Sequence, residues 1–259
     1  MIRHRIRVRF EKSGTLRYIG HRDLMRLLER LFRRAGVVPA MSEGFHPKPR
    51  VSFPLALAVG IEGRAELFEL EIRGFLADLS CVPLPDHAIT PENFGPATDV
   101  ILATAVHSVA EEFLRRMGRE PVQGLIFHEI TDLAEAEKKA SVTAATYEIA
   151  VPTDELPQLH ERLSAILAAD TFPMERENRT PVDLRRSLRS AECVPDSAGG
   201  MGEIAGSSET GSMKAATVTL RMNFAVTTGA DAGPRELLTA LGLGDLEHHG
   251  TVLIRTGVH

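Results

Sequence analysis

The sequence predicts an α+β chain built as two tandem antiparallel-sheet sandwiches. Three observations lead there. Strands with period-two alternation and helices with apolar residues at 3- and 4-residue steps follow one another in the order βαββαβ, and the order then recurs. An acidic connector, Asp132–Lys139, separates the two passes. The 259 residues suffice for one large or two ordinary domains, and a composition 43% hydrophobic and 25% charged is that of a soluble globular protein.

The opening strand places Ile2, His4, Ile6, Val8 and Phe10 on one face and Arg3, Arg5, Arg7 and Arg9 on the other. After the turn at Ser13-Gly14, residues 21–35 read as a helix with Leu24, Leu27, Leu28, Leu31 and Phe32 on its core stripe. Asp23 suits the positive end of that helix and Arg33 and Arg34 the negative end; Gly36 ends it. A second strand is expected from about Arg50 to Val59, with Pro54 demanding an edge position because proline has no N–H to donate. A third, roughly 65–73, turns Phe68, Leu70 and Ile72 inward and Glu69 and Glu71 outward. Residues 74–104, with Pro83, Pro85, Pro91 and Pro96, read as an inserted loop. A helix at 105–118 and a strand near 122–130 complete the first pass, which is the ferredoxin-like arrangement.

The second pass starts with a strand at 144–151 and a helix at 154–169, carrying Leu156, Leu159, Leu163, Ile166 and Leu167 at helical spacing. One or two strands fall between 173 and 194, a long strand at 214–227, a short helix at 234–241 and a last strand at 250–256. The stretch 195–213 is rich in Gly and Ser and reads as a flexible loop. The expected domains are therefore 1–140 and 141–259.

Positive charge is concentrated at one end. The first fifty residues hold thirteen Lys/Arg against four Asp/Glu, a balance of +9, in a chain whose net charge is −5; the remainder therefore carries −14. A basic end on an acidic protein suits a polyanion, with RNA the first candidate. The absence of Trp and an aromatic content of 5% argue against extensive base stacking. No apolar run is long enough for a membrane span, the N-terminus lacks the uninterrupted apolar core of a secretory signal, and Cys81 and Cys193 fit a reducing cytoplasm. Neither those cysteines nor His248-His249 has partners at metal-ligand spacing, so no metal and no cofactor is expected.

Four groups of residues are candidates for function. Arg3, Arg5, Arg7 and Arg9 lie about 6.8 Å apart on one strand face, a ladder suited to a phosphate backbone. Cross-strand pairing with Glu69 and Glu71 would consume part of it. The loop Leu16–Leu24 carries Arg17, Tyr18, His21, Arg22 and Asp23 at a helix N-terminus, where free N–H groups favour anions. Alternatively Tyr18 packs, and His21 or Asp23 caps the helix. The loop Ser42–Phe53 presents Gly44, Phe45, His46, Pro47, Lys48 and Arg50 on a proline-stiffened turn, an unusual choice for mere connection. In the second half, Asp183 beside Arg185 and Arg186 reads most simply as a local ion-pair cluster, with a phosphate contact as the alternative. Arg30, Arg33 and Arg34 read as a solvated helix face.

The segments LRYIGHRDLMRLLERLFRRAG and SEGFHPKPRVSFPLALAVGIEG, with VDLRR at Val182–Arg186 and PRELLTALGLG at Pro234–Gly244, resemble the uncharacterised radical-SAM-linked proteins. That family is found beside, or fused to, the C-terminal side of a radical-SAM protein, near genes of RNA processing and the ribosome. The resemblance implies a non-catalytic accessory protein that presents a substrate, an RNA such as tRNA or rRNA, to a separately encoded radical enzyme. No catalytic residue is carried over, because the family has no established activity. By match to its motifs, Arg17, Tyr18, His21, Asp23, Gly44, Phe45, His46, Pro47 and Arg50 are the candidates for its shared surface. The chain has no CxxxCxxC motif, which assigns the radical chemistry to another polypeptide. Two other readings stand beside this one. Tandem ferredoxin-like domains also resemble the metal-independent CRISPR repeat-RNA endoribonucleases, with His21 as general base and Tyr18 orienting, although their glycine-rich C-terminal loop is missing here. The third is an adaptor whose basic end docks on an acidic protein.

Overall fold

A computed structural model describes residues 4–75, 109–176, 179–195, 216–227 and 231–259. Arg3, nearly all of the expected loop at 74–104, Cys81 and most of the loop at 195–213 lie outside the described residues. The chain is mixed α and β, with few helices and mostly antiparallel strand pairing. It divides into two compact units: Met1–Val59 with Ala65–Ser141, and Gly60–Arg64 with Val142–His259. No helix among the described residues is long and apolar enough to cross a membrane.

In the first unit, β1 (His4–Lys12) leads through a 3-10 turn (Gly14–Tyr18) into α1 (His21–Arg34). Then come β2 (Val37–Pro39), β3 (Val51–Ser52), β4 (Glu62–Phe75), α2 (Val109–Met117) and β5 (Leu125–Leu133). The strand order is β5-β1-β4, with β2 and β3 both pairing antiparallel to β4. Alternation in β1 buries Ile6, Val8 and Phe10, and they share one core with Leu24, Leu28, Leu31 and Phe32 of α1. Phe68, Leu70 and Ile72 of β4 and Phe113 and Met117 of α2 complete it.

The expected strand at 50–59 shrinks to Val51–Ser52. Pro54 removes a ladder donor, and Phe53–Gly60 turn away as irregular chain. Its lost length is made up by β2, a short strand that the apolar pattern did not single out. The other strands shift at their ends: β4 extends at both ends beyond 65–73, and β5 lies three residues later than 122–130. In α1 the N-cap is Gly20, so neither His21 nor Asp23 caps it; Gly36 follows the helix with φ 66, the left-handed turn that favours glycine.

The second unit contains β6 (Ala144–Pro152), α3 (Leu156–Ala168), β7 (Pro173–Arg176), β8 (Arg179–Asp183), α4 (Leu184–Ser187), β9 (Leu188–Pro195), β10 (Thr217–Ala225), α5 (Pro234–Leu241) and β11 (Ile254–Val258). Its main strand order is β11-β6-β10-β9, and Glu62 and Gly63 run parallel to β11. That pairing is why residues 60–64 belong to this unit, a boundary not visible in the sequence. β7 and β8 form a separate two-stranded sheet.

On the outer face of β1, Arg5 and Arg7 converge on one buried carboxylate. Glu69, 5% exposed, accepts from Arg5 Nη2 at 3.2 Å, from Arg7 Nη2 at 2.8 Å and from the Ala140 N–H at 2.8 Å. Burial pushes its pKa up, but the hydrogen bonds from Arg7, Ala140 and Arg5 outweigh that and hold the carboxyl below its ordinary 4.5. A carboxyl held low contributes stability in full above 4.5 and loses it as the pH falls through the folded value. Glu69→Gln is therefore expected to lower unfolding stability by about 2 kcal/mol at neutral pH, after allowing for the partial exposure of both arginines. Urea titrations at a series of pH values check this: the gap between wild type and variant should close on acidification.

Candidate functional site

The strand arginines are largely occupied. Besides Glu69, Arg5 donates to the Glu137 carbonyl at 2.6 Å, Arg7 pairs with the Glu137 carboxylate at 3.3 Å, and Arg9 pairs with Glu129 at 3.6 Å. The connector at 134–140 thus crosses the face on which the ladder stands, supplying Glu137 and the Ala140 N–H.

On α1 the situation is reversed. Arg22, Arg26, Arg30, Arg33 and Arg34 are exposed and lie opposite the buried Leu24, Leu28, Leu31 and Phe32. Arg26 pairs with Asp23 at 3.3 Å and Arg34 with Glu120 at 2.6 Å. Arg22, Arg30 and Arg33 take part in no ion pair among the described residues, and Glu29, one turn before Arg33, forms none with it. Arg22/Arg26, Arg26/Arg30 and Arg30/Arg34 are like-charge pairs at four-residue spacing, each unfavourable by about 0.2–0.5 kcal/mol. An anionic partner would relieve that repulsion.

Both ends of α1 are pinned by cations from other elements. Lys12 continues the inward face of β1, is 1% exposed, and donates to the Ile19 carbonyl at 2.9 Å, holding the turn that precedes the helix. Arg116 donates to the Ala35 and Gly36 carbonyls at 3.2 and 3.4 Å and lies 5.1 Å from the Phe75 ring centroid. Glu112 orients it; hydrogen bonding from Arg115 first, then from Arg116, holds the Glu112 carboxyl low against the opposing effect of burial.

The predicted helix-entry residues are partly assembled. Arg17 stacks 4.5 Å from the Tyr18 ring centroid and donates to its hydroxyl at 2.7 Å, leaving Tyr18 60% exposed. His21 is exposed and packs edge-on against Phe53, ring centroids 5.0 Å apart. Its ring lines a small indentation with Lys12 and Glu66, which sequence reading missed. The signal was available, since Lys12 and Glu66 occupy inward positions in register with Phe10 and Phe68.

The segment 41–49 is an excursion from the edge of β4. Glu71 holds both sides of its neck: the Ala40 N–H donates to the Glu71 carbonyl at 2.7 Å, and the Glu71 N–H to the Arg50 carbonyl at 3.1 Å. Above that, the Arg50 N–H donates to Ala40 at 2.8 Å, Ser42 and Lys48 exchange hydrogen bonds of 2.8 and 3.0 Å, and Arg50 reaches the Met41 carbonyl and Glu71. Glu43, Gly44, Phe45, His46, Pro47 and Lys48 stand exposed at the tip. Phe45 is fully exposed, at 101%. A phenylalanine held in water forgoes about 2–3 kcal/mol of burial, which a connecting loop has no reason to forgo.

In the second unit, Asp183 is a helix cap and not the centre of an ion-pair cluster. Its carboxylate accepts the N–H groups of Arg185 and Phe172, both at 2.9 Å. Arg185 donates to the carbonyls of Ala169 and Leu188, while Arg186 is exposed.

A family described as an uncharacterized protein conserved in bacteria (DUF2344) matches residues 5–81. The match takes in β1, α1, the excursion and β4. No curated protein matches the chain.

The excursion also depends on Gly44, whose φ of 118 is strained for other residues, while an added Cβ would meet nothing within 4 Å. Gly44→Ala therefore tests backbone conformation alone. Amide exchange at Ser42 and Lys48 is expected to speed up about fivefold, the effect of about 1 kcal/mol of local strain, with exchange in β1 unchanged.

Proposed function

We propose that this protein is a non-catalytic RNA-binding accessory subunit that presents an RNA, of the tRNA or rRNA type, to a separately encoded radical-SAM enzyme. The observation that carries the RNA half is the division of labour among its arginines. Arg5, Arg7 and Arg9 are paired with Glu69, Glu137 and Glu129, whereas Arg22, Arg30 and Arg33, on the outward face of α1, take part in no ion pair among the described residues. Arg30 lies about two turns, roughly 12 Å, beyond Arg22 along the helix and Arg33 about one turn further, so the three can meet phosphates spaced along a backbone. Tyr18, His21, His46 and Lys48, exposed, and the half-buried Arg17 add donors and a ring on the loops before α1 and at the tip of the excursion. The enzyme half rests on the resemblance of the 16–63 segments to radical-SAM-linked proteins.

The two strand orders, β5-β1-β4 with β2 and β3 beyond, and β11-β6-β10-β9, support the tandem ferredoxin-like reading. In each, the last strand of the pass lies beside the first, and the third beside the first on its other edge. Residues β7, β8 and α4 then form an addition to the second sandwich.

Replacing Arg22, Arg30 and Arg33 together by Gln is expected to flatten the salt dependence of RNA binding. If each contacts one phosphate of a single strand, the slope of log affinity against log salt falls by about 2. Filter binding across a salt series reads this, and an unchanged slope would sink the α1 assignment. Affinity capture split into nuclease-treated and untreated halves tests the partner: a radical-SAM protein retained in both, with RNA in the untreated half only, is the expected result. Protein retained in both with no RNA in either would make the basic surface a protein dock.

A further inference from the structure

The 41–49 excursion has a geometry that the arginine ridge does not explain. A phosphate-tracking surface needs cations; it does not need a phenylalanine in water. Here the chain leaves the sheet edge at Ala40, returns at Arg50, and is laced across at Met41–Pro49 and Ser42–Lys48. Pro47 and Pro49 restrict the returning arm, and Gly44 takes the φ of 118 that makes the turn. The ring of Phe45 is therefore carried on a braced support and does not trail from a slack loop. Its company at the tip is Glu43, His46 and Lys48, all exposed, of which His46 and Lys48 can donate to a phosphate, with no second large apolar side chain there. A protein-binding hot spot would sit in a contiguous apolar patch, whereas within residues 41–49 the other large exposed hydrophobic side chain is Met41 at the neck, 39% exposed. One ring with a lysine and an imidazole beside it supplies a stacking face for a single base and donors for its phosphate.

We infer that Phe45 is a stacking finger for an unpaired base, so that the RNA bound by this protein presents a single-stranded loop or bulge to the excursion. The inference rests on the RNA reading and narrows its substrate class. Bases inside an A-form duplex are stacked on one another, so neither face is open to a ring; bases in loops and bulges can be splayed onto an aromatic side chain. The finger reads no hydrogen-bonding edge, so it selects for an accessible base over a paired one and tolerates base identity.

The test compares two RNA probes of equal length, a hairpin with a short unpaired loop and a perfectly paired duplex, against wild type, Phe45→Ala, Phe45→Tyr and the Arg22/Arg30/Arg33→Gln triple variant. Phe45→Ala is expected to weaken hairpin binding about 5- to 150-fold, the range spanned by one base–aromatic stack. Duplex binding should be unchanged, and Phe45→Tyr should restore the hairpin affinity. An equal loss on both probes, or no loss on the hairpin while the triple variant still binds weakly, overturns the finger and leaves the RNA reading in place. Wild-type protein that binds neither probe overturns the RNA reading and the finger with it. Loss of a captured protein partner in Phe45→Ala, with both RNA affinities intact, assigns the ring to a protein and overturns the inference.

Discussion

The structure of the first unit turns on where Glu69 sits. A carboxylate that is almost wholly buried must be satisfied, and Glu69 is satisfied by Arg5, Arg7 and the Ala140 N–H. That requirement draws two strand arginines and the connector at 134–140 to one point. Four arginines in period-two alternation look like an offered surface, yet Arg5 and Arg7 are spent on Glu69 inside the fold. The basic character of the N-terminal segment is thereby transferred to α1, where Arg22, Arg30 and Arg33 take part in no ion pair among the described residues.

The helix that carries this charge is fixed at both ends. Lys12 reaches from β1 to the carbonyl before it, and Arg116 reaches from α2 to the carbonyls after it. Each is a cation used as a hydrogen-bond donor to backbone oxygens, and such groups are costly to leave unpaired when buried. Glu71 plays the same part for the excursion, through its backbone, holding Ala40 and Arg50 on one edge. Binding residues on braced elements lose less entropy on meeting a partner, so a ridge and a finger fixed in this way favour affinity through preorganisation.

Much of the architecture was legible because it follows from local periodicity. Alternation in β1 and β4, the apolar stripe of α1, and the bounds of α5 at Pro234–Leu241 all appear in the residue pattern. The strand expected at 50–59 failed at Pro54, and β2 was missed because three residues carry no period. The cap role of Asp183 was hidden by the neighbouring arginines, which suggested ion pairs where the carboxylate accepts backbone N–H groups instead. The unusual character of Phe45 and its loop was visible in composition; its full exposure and the lacing beneath it were not.

Residue order alone established the alternating strands, the amphipathic helices and the concentration of thirteen cations in the first fifty residues, because each depends on neighbours within a few positions. It did not establish which of those cations remain available. Arg5 and Arg7 meet a carboxylate more than sixty residues away, and Arg116 meets the end of a helix about eighty residues before it. Pairing at that separation is set by strand order and by how helices lie on a sheet, so the long-range fold decided which arginines face solvent and which are consumed.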